Sequence, residues 1–199
     1  MTDYTFTGPP ITDQDAFRVL PPELRAVLQE KNGFILLFGA LHVRGATFEP
    51  AWHSIRETWT GPHALSAYYG VLTKDDVPFG QDALGDQFIL RESSVFRLRA
   101  ETGEIQDLQV DLPEFLRNAQ KDPIEYLELA PLLRFQKAGG TLAPGQLLSV
   151  YPPFCTQEAR QGVDLKAIPL LERIDFLAGF SRQINHLQDG TKFKIRFKP

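Results

Sequence analysis

The chain has 199 residues, 43% of them hydrophobic and 23% charged, with a formal net charge of −4. These values exclude a disordered, collagen-like or coiled-coil chain and allow a core built without disulfides or metal. The balance lacks the concentrated positive surface that tracks phosphate backbones, so no direct nucleic-acid role is expected.

Residues 1–11, with Gly8, Pro9 and Pro10, read as an extended lead-in that lacks the basic and apolar pattern of a secretory signal. Thr12 or Asp13 can cap a first helix, Pro21-Pro22 restarts it, and Asn32-Gly33 stops it. Residues 34–38 form a short apolar run, expected as a strand or buried turn, with Leu41 and Val43 continuing it. Residues 50–58 suit a short helix with Trp52 and Ile55 on one face. Short extended pieces then follow at 68–72, 87–90, 95–98 and 105–110. Asp75-Asp76, Gly80, Gly85, Ser93-Ser94 and Thr102-Gly103 separate them as turns, which points to an antiparallel meander.

Helix-like spacing returns at 112–118 and 124–133, and Gly139-Gly140 marks a boundary. Residues 141–150 look extended, Pro152-Pro153 makes a stiff corner, and a long helix runs from Pro169 to about Leu187, ended by Gly190. The chain closes at 192–197 in strict apolar and basic alternation, read as a return strand whose edge either pairs two subunits or is buried. The fold class is therefore α+β, a mainly antiparallel sheet flanked by helices, with a long C-terminal helix and that return strand. It divides into the lead-in 1–11, a domain over 12–138 and a C-terminal elaboration over 139–199 on the same core.

Motifs of the common enzyme families are absent: no P-loop, no Gly-x-Gly-x-x-Gly, no Gly-x-Ser-x-Gly, no His-Glu-x-x-His. No catalytic residue and no cofactor are expected. His42, His53, His63 and His186 include no pair at the short spacing from which zinc recruits its ligands, so no metal is expected either. Cys155 stands alone, which suits a reducing, cytoplasmic setting and a small buried hydrophobe. Its use as a nucleophile would need a distant His to lower its pKa. No run of about 18 apolar residues exists, so no membrane role is expected. The acidic stretch 74–92 offers Asp75, Asp76, Asp82 and Glu92, read either as ordinary turn residues or as an acidic face that docks a basic protein.

Several of these pieces occur together. Leu20-Pro21-Pro22-Glu23-Leu24 leads into a helix ending at Asn32-Gly33; Pro78-Phe79-Gly80 precedes Gly85-Asp86-x-Phe88-x-Leu90; Gly103-Glu104-Ile105 follows at the next turn. Over about residues 12–130 this pattern resembles the SUKH superfamily of bacterial immunity proteins and a fungal regulator of cell-wall assembly. In physical terms Gly33, Gly85, Asp86, Phe88 and Gly103 are residues of architecture: glycines for turns, an acceptor for backbone amides, and a core ring. The resemblance implies a non-enzymatic domain that binds another protein, commonly a toxin and often a basic nuclease, and it carries over no catalytic or contact residue. A regulatory or scaffold module of the same fold is the alternative, with a hydrolase using Cys155 behind it.

Overall fold

The computed structural model describes residues 4–188 and 190–192. Seven strands form one antiparallel sheet in chain order: β1 Tyr4–Thr7, β2 Phe34–Leu36, β3 Leu41–Val43, β4 Val77–Asp82, β5 Gln87–Arg91, β6 Ser94–Arg99 and β7 Glu104–Asp107. A separate pair, β8 Gln146–Tyr151 and β9 Asp164–Pro169, is also antiparallel. The helices are α1 Gln14–Val19, α2 Pro22–Glu30, α3 Ile55–Trp59, α4 Leu112–Lys121, α5 Pro123–Tyr126, α6 Ala130–Lys137 and α7 Leu170–Ile184. The fold is α+β.

Local chemistry accounts for most helix starts. The Asp13 carboxylate accepts from the Ala16 amide at the head of α1, and Asp111 accepts from the Glu114 amide at the head of α4. Pro22 opens α2 where a missing N–H costs nothing. Successive residues of a strand point to opposite faces, and the sheet uses both. Phe79, Phe88 and Leu90 enter one apolar layer with Leu24, Leu28 and Phe115, the Phe88 and Phe115 rings lying 4.6 Å apart. Ile89 and Leu98 enter a second layer with Leu147, Ile174 and Leu177, beneath α7.

Beside this second layer runs a polar seam. Arg44 is fully buried, and its guanidinium donates to the carbonyls of Pro78 (3.0 Å) and Gly80 (3.2 Å) and to the side-chain carbonyls of Gln81 and Gln87. Burial lowers its pKa to about 9. Gln81 reaches His42 at 3.4 Å, His42 meets His53 at 2.8 Å, and His53 Nε2 donates to the Asn32 carbonyl at 3.0 Å. That last acceptor settles the tautomers: His53 Nδ1 must accept, so His42 Nε2 donates, and both rings are neutral.

Several sequence expectations are corrected. The 50–58 helix is broken at Ser54, because the 53–55 backbone pairs with Gly45 (Gly45 N to His53 O, 2.9 Å; Ile55 N to Gly45 O, 2.9 Å). Residues 68–72 are turns rather than a strand; Tyr69 is buried and donates to the Ala100 carbonyl at 2.9 Å. Gly80 is not a turn but lies inside β4, where a Cβ would stand 2.8 Å from the His42 carbonyl. The 124–133 helix divides at Glu128, whose φ of 55° breaks the helical run. Leu41 and Val43 turn back as a hairpin strand instead of continuing β2, strand β9 had no sequence signal, and α7 stops at Ile184. The expected return strand falls at 192–197, of which only Lys192 is among the described residues.

Burial holds His53 neutral, its pKa lowered to about 4 from 6.5. A group protonated more readily in the unfolded chain stabilises the fold fully above about 6.5, and that contribution is lost as pH falls toward 4. Urea titrations between pH 7 and pH 4 should therefore show the wild type losing about 3 kcal/mol more than a His53→Asn variant across that window. Equal losses would exclude His53 as the source.

Candidate functional site

The described residues enclose a cleft of about 650 Å³ where five stretches of chain converge. The β4–β5 turn contributes Leu84 and Asp86, the β6–β7 turn Arg99, Glu101, Thr102 and Glu104, and the α5–α6 region Ile124, Glu125, Glu128, Ala130 and Pro131. Phe154 and Cys155 close it from the β8–β9 loop, with Arg173 and Leu177 of α7 also in its lining. Its volume lies in the range of small-ligand and side-chain pockets.

The β4–β5 turn is the foundation. Buried Asp82 accepts from the amides of Leu84 (2.9 Å), Gly85 (3.0 Å) and Asp86 (3.0 Å), and Arg97 donates to its other oxygen at 2.7 Å. Burial raises the Asp82 pKa, with the nearby Asp86 charge adding to the rise against the pull of Arg97. Gly85 has φ of 99°, a conformation that favours glycine, and a Cβ there would stand 2.8 Å from Leu177 Cδ1, which would have to shift. Asp86 accepts from the Ala100 amide (2.9 Å), Arg99 (3.0 Å) and Arg97 (3.3 Å). Glu128 receives both Arg99 terminal nitrogens (2.7 and 2.5 Å), and Arg97 stands 3.0 Å away. The Arg99 hydrogen bonds hold the Glu128 carboxyl below its usual range and raise the Arg99 pKa.

The cleft is acidic: five carboxylates (Asp86, Glu101, Glu104, Glu125 and Glu128) face two guanidiniums (Arg99 and Arg173). Among the described residues, Glu101, Glu104 and Glu125 form no ion pair. Exposed Ile124 and Phe154 add apolar surface. Arg173 is only 2% exposed; its Nε donates to the Leu84 carbonyl at 3.2 Å, while Nη1 finds no hydrogen-bond partner among the described residues. Burial lowers its pKa to about 10 against the pull of Glu101, Asp86 and Asp82.

The acidic residues singled out in sequence do not share a face. Asp76 is buried and pairs with Arg91 (2.7 and 2.9 Å), and Asp82 is consumed by its turn and by Arg97, so neither is open to a partner. Asp75 and Glu92 are exposed, but Glu92 sits at the far end of the β5–β6 hairpin from the cleft. Gly33 (φ 76°) and Gly103 (φ 80°) occupy turns, and Phe88 lies in the core. Of the residues noted in sequence, Asp86, Thr102, Glu104 and Cys155 line the cleft. The other cleft residues come from segments far apart in the chain and leave no local motif.

Cys155 is exposed rather than buried, because its loop lies at the mouth of the cleft. Its amide donates to Glu101 at 2.6 Å. Partial burial of the thiol and then the Glu101 charge push its pKa up to about 12. No histidine lines the cleft: His42 and His53 are bonded to each other, and His63 pairs with Asp175 at 2.8 Å. A thiol so placed is a poor nucleophile. Among the described residues no three His, Cys, Asp or Glu side chains form a group able to hold a metal ion. No helix among them is long and apolar enough to cross a membrane.

No protein-family model matches the chain, and no curated protein matches it. Among solved structures it is similar to the crystal structure of Atu4351 from Agrobacterium tumefaciens. That similarity has a TM-score of 0.52 and 11% identity, over 88% of this chain and 85% of that one, which makes it a likeness of fold.

Iodoacetamide should alkylate Cys155 at pH 7.5 about tenfold or more slowly than it alkylates free cysteine, and Glu101→Gln should speed the reaction. Mass spectrometry of timed aliquots checks both. Labelling as fast as free cysteine would show an activated thiol.

Proposed function

We propose that this chain is a protein-binding domain without catalysis, an immunity protein of the SUKH kind that neutralises a basic toxin by direct contact. The nuclease toxins that such proteins often oppose carry the right charge. The observation that supports this reading is the surplus of negative charge in the cleft, five carboxylates against two guanidiniums, with Glu101, Glu104 and Glu125 in no ion pair among the described residues. Charge of one sign in a partly enclosed, low-dielectric site attracts the opposite charge and selects among partners. Exposed Ile124 and Phe154 supply apolar contact beside it, the mixture from which interface anchors are built. The weakly nucleophilic thiol and the absence of histidine from the cleft favour binding over bond-breaking.

A Glu101→Gln/Glu104→Gln/Glu125→Gln variant removes the unpaired charge and leaves the Asp82 and Asp86 networks intact. With the partner purified, calorimetry should show this variant binding about tenfold more weakly and with a flatter salt dependence, since each exposed charge pair contributes only modestly. The wild type should abolish the partner's toxic activity at a one-to-one ratio. A partner bound equally by the variant, or bound without loss of its activity, would sink the proposal.

A further inference from the structure

The Arg173 guanidinium sits among the cleft-lining groups, is almost wholly shielded from solvent, and yet has one nitrogen, Nη1, without an acceptor among the described residues. Arg25 and Arg44 each also carry a buried Nε without an acceptor among the described residues, but neither lines the cleft; Arg173 does, so its Nη1 is open to what enters there. The acceptor that completes it is constrained by its neighbours. A carboxylate would meet the surplus of glutamates already in the cleft, so a neutral oxygen suits Arg173 better. The glutamates favour the opposite: Glu101, Glu104 and Glu125 are in no ion pair among the described residues, so their charge attracts a cation.

One common chemical unit carries both groups, a basic residue inside a polypeptide. Resting on the binding role proposed above, we infer that the cleft takes an internal lysine or arginine of an extended partner segment. Its side-chain cation lies among Glu101, Glu104 and Glu125, and an adjacent main-chain carbonyl accepts from Arg173 Nη1. The apolar surface of Ile124 and Phe154 covers the aliphatic stem of that side chain, as long basic side chains require. A chain terminus is disfavoured, because its carboxylate adds to the negative charge. A nucleic acid is disfavoured for the same reason.

The probes are Nα-acetyl-L-arginine N-methylamide, agmatine (cation without carbonyl), Nα-acetyl-L-norleucine N-methylamide (carbonyl without cation) and Nα-acetyl-L-arginine (free carboxylate). Each is titrated into the isotope-labelled full chain and followed by amide NMR. The arginine amide should give saturable shifts at Thr102, Glu104, Glu125 and Cys155, with the other three probes about tenfold weaker. An Arg173→Lys variant, which keeps the charge and loses the Nη1 donor, should bring the arginine amide down to the level of agmatine and leave agmatine unchanged. Should that variant not fold, the comparison of probes on the wild type decides alone. Agmatine or the norleucine amide binding as well as the arginine amide would overturn the inference, as would shifts that never saturate. A protein partner that depends on the three glutamates but is not displaced by the arginine amide would also overturn it, while leaving the proposed function standing. Saturable, carbonyl-dependent binding supports the inference even where the partner proves not to be a toxin.

Discussion

The turn from Asp82 to Asp86 is the constraint from which the rest of the molecule hangs. One sealed carboxylate gathers three successive amides and an arginine, so the chain can reverse only one way between β4 and β5. The carbonyls exposed by that reversal then become attachment points. The Leu148 amide of β8 donates to the Ala83 carbonyl at 2.8 Å, and Arg173 of α7 donates to the Leu84 carbonyl. Leu177 packs over Gly85, where a Cβ would stand 2.8 Å from its Cδ1. Asp86 ties the same turn to the start of the β6–β7 connection through the Ala100 amide. Three walls of the cleft therefore meet on five residues, and a change in the turn would move all of them together.

Parts of this were legible in the sequence for a simple reason: they are local. Gly85, Asp86 and Phe88 state a turn, an amide acceptor and a core ring within four positions, and Asp13 and Pro22 mark helix starts beside the helices they open. What was not legible depends on distant partners. Strand β4 carries Pro78, Gly80, Gln81 and Asp82, which reads as a turn until Arg44 and the flanking strands supply their hydrogen bonds. The break at Ser54 comes from Gly45 rather than from any residue near Ser54. Asp76 and Asp82 looked like surface charge because their arginine partners lie 15 residues along the chain. The cleft itself is assembled from five segments, and nothing within any one of them marks the others as its neighbours.

Two buried arginines show how the same side chain can serve opposite ends. Arg44 has no carboxylate beside it, yet its terminal nitrogens reach four carbonyl oxygens, so its charge is spread over dipoles fixed by the sheet. Among the described residues only its Nε lacks an acceptor, and Arg44 lines no part of the cleft. The histidine pair beyond it is complete, each ring nitrogen matched to a donor or an acceptor. Arg173 is buried as deeply but reaches a single carbonyl through Nε, and it lies where the wall opens.

This division separates the groups that fold the protein from those available to recognise a partner. Arg97, Asp82 and Asp86 are mutually committed, and removing one would strand a charge in a low-dielectric interior, a costly change. Glu128 lies between the two classes: it is half-exposed and holds a left-handed backbone in place through Arg99, yet its carboxylate also borders the cleft. Glu104 and Glu125 are exposed and unpaired among the described residues, so the fold gains little from them and could lose them at small cost. Charge that stability does not require, set beside an unsatisfied donor that stability would rather not carry, is free to vary with the partner while the scaffold beneath it stays the same.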